Sequence, residues 1–388
     1  MPDWNSLPKH VLLQTFSFLN FEDRMAIMLV CKYWYFCSSS PVLWKQFSFD
    51  LTRPERLEAH TKMLQKHIDH ITAVNIHIVT ELDANMENAC TVMVELAKSR
   101  CQLESFSLRC SGANIVWSPL FSKILLSLNS LLSSESTSKL KHFSCSELKF
   151  PIGDSMLSKL ARDHNDLETV DIQTPSTSVT PQSVKILVQS CPKLRKLCAS
   201  FTSMSDEVFE SLIKANYRAL RLLSLTFGGG RGIRRRLSSE LWKRVVNHIP
   251  ALRVNLHFNF LSTRSDISSI LQAGIPLAEL TLNVLFEAHE EIAHIEAEYS
   301  ETLKKFTVTA PSSAQLENAL LSLVQNATHL ENLTCFCNLN PSFRNKVLQE
   351  KPGLECFVCV TEEFDQNFMQ VMTGRTANLE KLKDLGYM

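Results

Sequence analysis

Four cysteines near the end of the chain have the residue type and the spacing that could bind a metal ion. They are Cys335, Cys337, Cys356 and Cys359, and structural zinc sites use thiolate ligands in tetrahedral geometry. Cys335 and Cys359, however, occupy inward positions of a repeated apolar pattern described below. Because side chains alternate along a strand, Cys356 falls on the opposite face from Cys359. We therefore expect no metal site and no cofactor, and we expect the inward cysteines to pack as reduced thiols.

A glycine- and arginine-rich segment at residues 228–236 is the second place where the residue types suggest chemistry. Its sequence is Gly-Gly-Gly-Arg-Gly-Ile-Arg-Arg-Arg. A glycine-rich loop before a helix can bind phosphate, but this one lacks the Lys-Ser/Thr ending of a nucleotide-binding loop. Two interpretations stay open. The segment is either a loop that binds RNA or an acidic partner, or a solvated loop without a ligand.

No arrangement of catalytic residues is recognisable in the sequence. The histidines are scattered, and the chain contains no HExxH, GxSxG or dinucleotide-binding pattern. A nucleophile paired with a base is the usual signature of covalent catalysis, and none stands out. The sequence therefore predicts a protein that is not an enzyme.

The composition is that of an ordinary globular protein of 388 residues, with 45% hydrophobic and 21% charged residues. The formal net charge of +0 gives no global preference for nucleic acid or an acidic membrane. No signal peptide is recognisable, and no stretch approaches the roughly 20 apolar residues of a membrane span. We expect an intracellular protein, in the cytoplasm, the nucleus or both, whose 12 cysteines are reduced.

The stretch from Leu7 to Trp44 predicts three short helices. Pro8 suits a first helical position, and Leu12, Phe16 and Leu19 then fall on one helical stripe. An asparagine and a proline further along mark the start of the second helix and the end of the third. Units below roughly 40 to 60 residues are marginal alone, and an exposed apolar patch usually has a partner. We expect a helical docking module; the alternative is a small helical cap with an ordinary core.

The same residues resemble an F-box. The resemblance is carried by Leu7-Pro8, Val11-Leu12, Phe16-Ser17-Phe18-Leu19, Asp23-Arg24, Leu29-Val30-Cys31-Lys32, Trp34 and Pro41-Val42-Leu43-Trp44. Phe16 stands where many F-boxes have isoleucine. The resemblance implies docking to the Skp-type adaptor of a cullin–RING ubiquitin ligase. It assigns adaptor contacts to Leu7, Pro8, Val11, Leu12, Phe16, Leu19, Leu29, Val30 and Trp34.

From residue 71 onward one pattern recurs: an apolar residue, two others, an apolar residue, one other, and an apolar residue. The leading residues 140, 167, 194 and 220 are separated by 27, 27 and 26 positions. Those at 252, 277, 303, 330 and 354 are separated by 25, 26, 27 and 24 positions, and the spacing within the copy at 252 slips. A period in the twenties with this pattern indicates leucine-rich repeats, each with one short strand and one helix.

Together these patterns predict an α/β protein with an N-terminal three-helix F-box followed by a leucine-rich-repeat horseshoe solenoid. The expected domains are an adaptor-docking module at 1–49, a bridging helix at 50–69, the repeats at 70–362, and a C-terminal cap or tail at 363–388. The tail begins with apolar residues at helical spacing, and the end of a solenoid needs a cover.

The outward strand positions of the repeats are the candidates for binding a target protein, because they alternate with the buried ones. They are mixed in character and contain no arginine cluster of the kind that binds phosphopeptides. Two interpretations are open for the apolar side chains at the last strands: a pocket for a target side chain, or burial under the tail. The candidate substrate-binding residues are Thr169, Asp171, Gln173, Thr226, Glu279, Asn283, Lys305, Phe336 and Val358.

The predicted function is that of a substrate-recognition subunit of a Skp–cullin–F-box ubiquitin ligase. Its partners would be the adaptor, through it a cullin and a RING subunit, and an unknown protein substrate. Two other functions are open: an adaptor-bound scaffold without a ligase role, and a binder of RNA or an acidic partner through the 228–236 loop.

Overall fold

The computed structural model describes residues 7–50, 57–80, 82–112, 119–148, 150–173, 179–214, 219–228 and 238–359. The helices are α1 Lys9–Ser17, α2 Phe21–Ile27, α3 Lys32–Ser38, α4 Leu57–His67, α5 Asp83–Lys98, α6 Pro119–Leu132, α7 Asp154–Asp163, α8 Pro181–Ser190, α9 Asp206–Lys214, α10 Ser239–His248, α11 Arg264–Ile270, α12 His289–Tyr299, α13 Ala314–Asn326 and α14 Pro341–Glu350. The strands are β1 Gln46–Asp50, β2 Ala73–Val79, β3 Ser105–Ser111, β4 His142–Ser144, β5 Thr169–Asp171, β6 Lys196–Ser200, β7 Leu222–Phe227, β8 Arg253–Phe258, β9 Leu277–Asn283, β10 Lys305–Thr309, β11 Asn332–Cys335 and β12 Cys356–Cys359. Within the described ranges, no helix has both the length and the apolar character needed to cross a membrane.

The described residues divide into two compact units. The first takes those of Met1–Phe150 with Arg162–Leu167, and the second takes Pro151–Ala161 with those of Glu168–Met388. In the first unit β1 to β4 are parallel neighbours in chain order, and in the second β5 to β12 are. Within each unit a helix separates every two consecutive strands, which parallel pairing requires.

The repeated apolar pattern coincides with these strands. Each copy predicted from residue 71 onward falls on one of β2 to β12, and in the copies on β2 to β11 the apolar residues form the core. In β7, for example, Leu223 is 0% exposed and Leu225 is 1% exposed, whereas Thr226 is half-exposed. The prediction of strand–helix repeats is therefore confirmed.

The sheet of the first unit begins one repeat earlier than the pattern predicted. β1 pairs with β2 in parallel, with Phe47 opposite Val74. The side chains of Trp44, Phe47 and Phe49 are 1 to 2% exposed, so they fill the same inward positions as the later copies. The residues that end the N-terminal helical module therefore also start the sheet, and α4 lies between two strands of that sheet as other repeat helices do.

Helix starts in the second unit are fixed by polar side chains of the kind that cap free backbone N–H groups. Ser238 accepts a hydrogen bond from the backbone of Leu241, and Ser313 accepts one from that of Leu316. Thr263 forms a reciprocal capping box at the start of α11. These caps define where each strand-to-helix connection ends.

The parallel register of the second unit is interrupted at one place among the described strands. The register between β8 and β9 shifts at Val254 and Asn255, where the sequence pattern also slips.

Cys191 and Cys198 occupy core positions, and burial raises the pKa of both thiols to about 12. At neutral pH both are protonated, so they pack as small apolar side chains.

Candidate functional site

The N-terminal module, α1 to α3 with the 3-10 helix Pro41–Trp44, has a small internal core. Leu12 and Phe16 on α1 are 1 and 2% exposed, and Trp44 of the 3-10 helix is 1% exposed. The ring of Phe16 meets that of Trp34 edge-on, with centroids 5.2 Å apart. The indole N–H of Trp44 donates to the backbone oxygen of Ser38 at 2.7 Å. Leu12 and Phe16 thus hold the module together.

Arg24 fastens three parts of the module to one another. Its guanidinium donates to the backbone oxygens of Phe16 at 3.3 Å and Ser17 at 2.9 Å, and also to that of Leu43. The first two oxygens belong to the last turn of α1, where carbonyl groups lack partners within the helix. Partial burial lowers the pKa of Arg24. Its contribution to the module is therefore structural.

Several large apolar side chains of the same module face solvent. Among the described residues, six of the eleven exposed large apolar side chains lie between Phe18 and Val42. Leu29 is 88% exposed and Phe18 is 83% exposed. Most of a solvent-exposed surface is made of scattered atoms of this kind, but a concentration on one short segment is typical of an interaction surface. We call these six residues the exposed apolar set: Phe18, Leu29, Val30, Tyr35, Phe36 and Val42.

The predicted adaptor contacts fall into three groups. Leu12 and Phe16 are buried; Leu7, Val11, Leu19 and Trp34 are half-buried; and Pro8, Leu29 and Val30 are exposed. The other four members of the exposed apolar set were not among the predicted contacts. The sequence did contain a signal for them: Phe18 lies off the buried stripe of α1, and four consecutive aromatic residues on α3 cannot all face one side.

Histidines of α4 stack on aromatic rings of the module. His60 stacks on Phe21 with ring centroids 3.8 Å apart, and His67 stacks on Trp44 with centroids 5.3 Å apart. Burial, with smaller contributions from the neighbouring Lys66 and His70, lowers the pKa of His67 to about 4. His67 is therefore neutral at physiological pH and behaves as part of an aromatic cluster.

The second candidate surface is the open face of the second unit, which we define as the outward strand positions of β5 to β12. Strand pairing places its residues in rows; one row runs through Asn255, Glu279 and Lys305. Of the predicted substrate contacts, Lys305 is exposed and Phe336 is buried. The others are half-buried: Thr169, Asp171, Gln173, Thr226, Glu279, Asn283 and Val358.

Glu279 is the centre of a polar network on this face. One carboxylate oxygen accepts a hydrogen bond from the side-chain amide of Asn255 at 2.9 Å, and the other lies 3.1 Å from the ammonium group of Lys305. The amide contact fixes the orientation of Asn255, whose buried Oδ1 has no partner within the described structure. Two predicted contacts, Glu279 and Lys305, are thus paired with each other.

Other polar side chains of the open face are paired in the same way. The amide of Gln173 donates to the backbone oxygen and the hydroxyl oxygen of Ser224, both at 3.1 Å. The imidazole of His257 lies 3.1 Å from the Thr281 hydroxyl, and burial lowers its pKa. The face is therefore cross-linked between strands by hydrogen bonds.

The remaining candidates from the sequence can be placed only in part. Cys335 and Cys337 are buried and Cys356 is exposed, and the described residues contain no cluster that could hold a metal ion. Phe336 is 8% exposed. Most of the 228–236 loop and the whole 363–388 tail lie outside the described residues.

The comparison with protein families decides what the N-terminal module is. The model described as F-box-like matches residues 4–50. This segment is an F-box-like domain. Its match ends at the last residue of β1, so the F-box-like domain and the first strand of the sheet share residues.

Two proteins with similar sequences have names that combine an F-box with leucine-rich repeats. F-box/LRR-repeat protein 8 of Homo sapiens is 26% identical over 359 residues, which cover 90% of this chain and 94% of that protein. F-box/LRR-repeat protein 21 of Mus musculus is 23% identical and covers 72% of this chain and 64% of that protein. A leucine-rich repeat-containing protein from Legionella pneumophila, LegL7, superposes with a TM-score of 0.40 at 12% identity, covering 80% of this chain and 97% of that one. The prediction of an F-box followed by leucine-rich repeats is confirmed.

Proposed function

We propose that this chain is the substrate-recognition subunit of a Skp–cullin–F-box ubiquitin ligase. The F-box-like domain at the N-terminus would bind a Skp-type adaptor, and through it a cullin and a RING subunit. The repeats would bind a protein substrate and hold it near the ubiquitin-conjugating enzyme. In this role the chain supplies proximity and orientation, and no bond chemistry of its own.

The observation that carries the proposal is the exposed apolar set on the F-box-like domain. Burying a leucine or valine side chain contributes about 1.5 to 3 kcal/mol. Leu29 and Val30 are exposed in the free chain, so neither side chain contributes this free energy there. A permanent partner would recover that free energy. Adaptor contact by Pro8, Leu29 and Val30, which are exposed, fits this role directly. Leu12 and Phe16 are buried inside the domain, so a partner could contact them only if the side chains that cover them moved.

Co-purification of a tagged Skp-type adaptor with the full chain tests the proposal. The variant Leu29→Ala/Val30→Ala should retain at most a tenth of the adaptor, since each leucine-sized contact is worth more than the 1.4 kcal/mol of a tenfold change. Leu126→Ala is the matched control, because Leu126 is also an exposed leucine, 70% exposed, but lies on α6. Equal recovery of the adaptor with both variants would refute the docking assignment.

A second measurement, the recovery of a cullin, distinguishes a ligase subunit from an adaptor-bound scaffold. Recovery of a cullin together with the adaptor would support the ligase, and recovery of the adaptor alone would support a scaffold. Proximity labelling in cells with the Leu29→Ala/Val30→Ala variant would then reveal clients, because proteins that accumulate around the variant are candidates for ubiquitination. We further propose that the protein acts inside the cell, where these subunits are found.

A further inference from the structure

Asn255 on β8 has a buried side-chain oxygen that accepts no hydrogen bond from the described chain. The residue is 7% exposed, and its Oδ1 is without a partner there. Its Nδ2 donates to a carboxylate oxygen of Glu279 at 2.9 Å, so the orientation of the amide is fixed and the unpaired atom is an acceptor. Because buried polar atoms are nearly always paired, this acceptor marks a position for a donor that the described chain does not supply.

The neighbours of Asn255 on the open face do not provide this donor. Strand pairing places Ser224 on one side of Asn255 and Glu279 on the other. The hydroxyl oxygen of Ser224 accepts a hydrogen bond from the amide of Gln173 at 3.1 Å. The carboxylate of Glu279 has only acceptor atoms. The missing donor therefore belongs to a molecule that lies against the open face.

The second carboxylate oxygen of Glu279 is weakly paired. Nζ of Lys305 lies 3.1 Å from it, and the two groups form an ion pair without a hydrogen bond in the described structure. By contrast, the ammonium group of Lys304 donates a hydrogen bond to Glu331 at 2.6 Å. The side chains of Lys305 and Glu279 are 51% and 35% exposed. Because exposed ion pairs contribute little, another cation can replace the ammonium group of Lys305 at small cost.

Arg253 is a further cation on the same strand and the same face, two positions before Asn255. It is exposed, and its guanidinium donates to the backbone oxygen of Leu252 at 3.0 Å. Water and salt screen an exposed charge, so Arg253 opposes a cationic ligand only weakly. The overall charge of this region does not attract a cation. What selects one is the pair of acceptors on Asn255 and Glu279.

We propose that Asn255 and Glu279 bind the guanidinium group of an arginine on a partner protein, which displaces Lys305 from the carboxylate. The two acceptors belong to side chains that are opposite each other on neighbouring strands, about 4.8 Å apart. A guanidinium group carries five N–H donors in one plane and can donate to both acceptors at once. An ammonium group is a compact point charge and is less suited to two separated acceptors. That the partner is a ubiquitination substrate rests on the proposed function.

Fluorescence anisotropy of labelled peptides on the full chain, co-purified with the adaptor, tests this site. The probe is a glycine–serine peptide with one central arginine. Two control peptides carry citrulline, which has nearly the same shape but no charge, or lysine at that position. The arginine peptide should bind about tenfold more tightly than the citrulline peptide, because charge-assisted hydrogen bonds are about twice as strong as neutral ones. It should also bind more tightly than the lysine peptide.

Two substitutions in the ion pair should change binding of the arginine peptide in opposite directions. Lys305→Ala removes the competing cation and should strengthen binding about threefold. Glu279→Gln keeps an acceptor for Asn255 but removes the charge, and it should weaken binding about tenfold. Lys304→Ala is the matched control, because it removes the same charge from the adjacent residue, whose partner is Glu331. It should bind the probe as the unaltered chain does.

Asn255→Ala tests the unpaired oxygen separately, because it leaves both members of the ion pair in place. In this variant the preference for the arginine peptide over the lysine peptide should disappear. Urea unfolding confirms that each variant is folded before its binding is compared.

Equal binding of the arginine and citrulline peptides would overturn the proposal, and it would mean that water supplies the donor to Asn255. Weaker binding by the folded Lys305→Ala variant would also overturn it, because Lys305 would then be part of the site and not a competitor. So would unchanged binding by the folded Glu279→Gln variant.

The arginine site and the proposed function can fail separately. Arginine-dependent binding by a chain that recovers no adaptor would refute the ligase role and leave the site in place. Adaptor recovery without a preference for arginine over citrulline would refute the site alone. The same preparation is used for both measurements.

Discussion

The F-box-like domain and the open face of the second unit expose side chains of different kinds. The domain exposes large apolar side chains such as Phe18 and Leu29, whereas the open face exposes polar ones that pair between strands, such as Glu279 with Lys305. An exposed leucine gains free energy only when it is buried by a partner. A paired ion on a surface has already gained most of what it can.

This difference indicates two modes of association. The exposed apolar set suits a partner that stays bound, because separation would return apolar surface to water. The open face suits a partner that exchanges, because polar side chains such as Glu279, Lys305 and Gln173 are already paired within the free chain.

Two phenylalanines of the F-box-like domain, two positions apart, sharpen the comparison most. Phe16 is 2% exposed and Phe18 is 83% exposed. Phe16→Ala should lower the free energy of unfolding by about 3 to 5 kcal/mol, through lost burial and the cavity that remains. Phe18→Ala should change it by less than about 0.5 kcal/mol, yet weaken adaptor binding. Urea unfolding and adaptor titration measure the two effects.

An equal loss of stability in both variants would break this distinction, because it would mean that Phe18 also packs inside the domain. Retained adaptor affinity in Phe18→Ala would remove that residue from the contact surface. Only the combination of intact stability and weakened binding supports the two-mode description.

The histidine stacked on Trp44 predicts a pH dependence of the first unit. His67 has a pKa of about 4 in the folded chain, against an ordinary value of 6.5. The folded state therefore binds fewer protons than the unfolded state between these values, and stability falls as pH decreases from 6.5 to 4. At pH 5 the loss from this group is about 2 kcal/mol.

His67→Leu should remove this part of the pH dependence, because leucine cannot be protonated. Urea unfolding at pH 7.5 and at pH 5 gives the comparison with the unaltered chain. His10→Leu is the control, since His10 is an exposed histidine on α1 of the same unit. The same pH dependence in the His67 variant would show that His67 is solvated in the folded state.

Much of the fold was predictable because burial repeats at a fixed interval. The leading residues recur every 24 to 27 positions in the later repeats, and every copy lies on a strand. The first copy was missed although Trp44, Phe47 and Phe49 follow the same pattern, with Trp44 lying 27 positions before Ile71. The F-box resemblance had assigned those residues to the docking module. The same residues also begin the parallel sheet.

The binding surfaces were less predictable, because periodicity separates inward from outward but does not show which outward side chains are paired. Leu12 and Leu29 both belong to the F-box resemblance, yet one is 1% and the other 88% exposed. Gln173 and Ser224 are far apart in sequence, and only the fold brings them together. Adjacency between repeats depends on register, and register comes from the structure.

On the open face, the two contacts of Glu279 should differ in strength. Glu279→Ala removes the acceptor of the buried Asn255 amide, and a buried donor without a partner costs about 1 to 3 kcal/mol. We expect the free energy of unfolding to fall by an amount in that range. Glu301→Ala, at an exposed glutamate of the same unit, should leave it unchanged. Urea unfolding distinguishes the two variants, and no difference between them would mean that water replaces the carboxylate.

The smallest effect is expected for the other partner of that carboxylate. Lys305→Ala should cost about 0.2 to 1 kcal/mol, because the ion pair is exposed and water screens it. In a double-mutant cycle with Glu279→Gln, which keeps an acceptor for Asn255, the coupling free energy isolates the charge interaction. It should vanish near 1 M salt, where the screening length is about 3 Å. A coupling well above 1 kcal/mol that survives salt would mean that the open face is held rigidly by its ion pairs. An exchanging partner would then have to break them, and the contrast with the F-box-like domain would no longer hold.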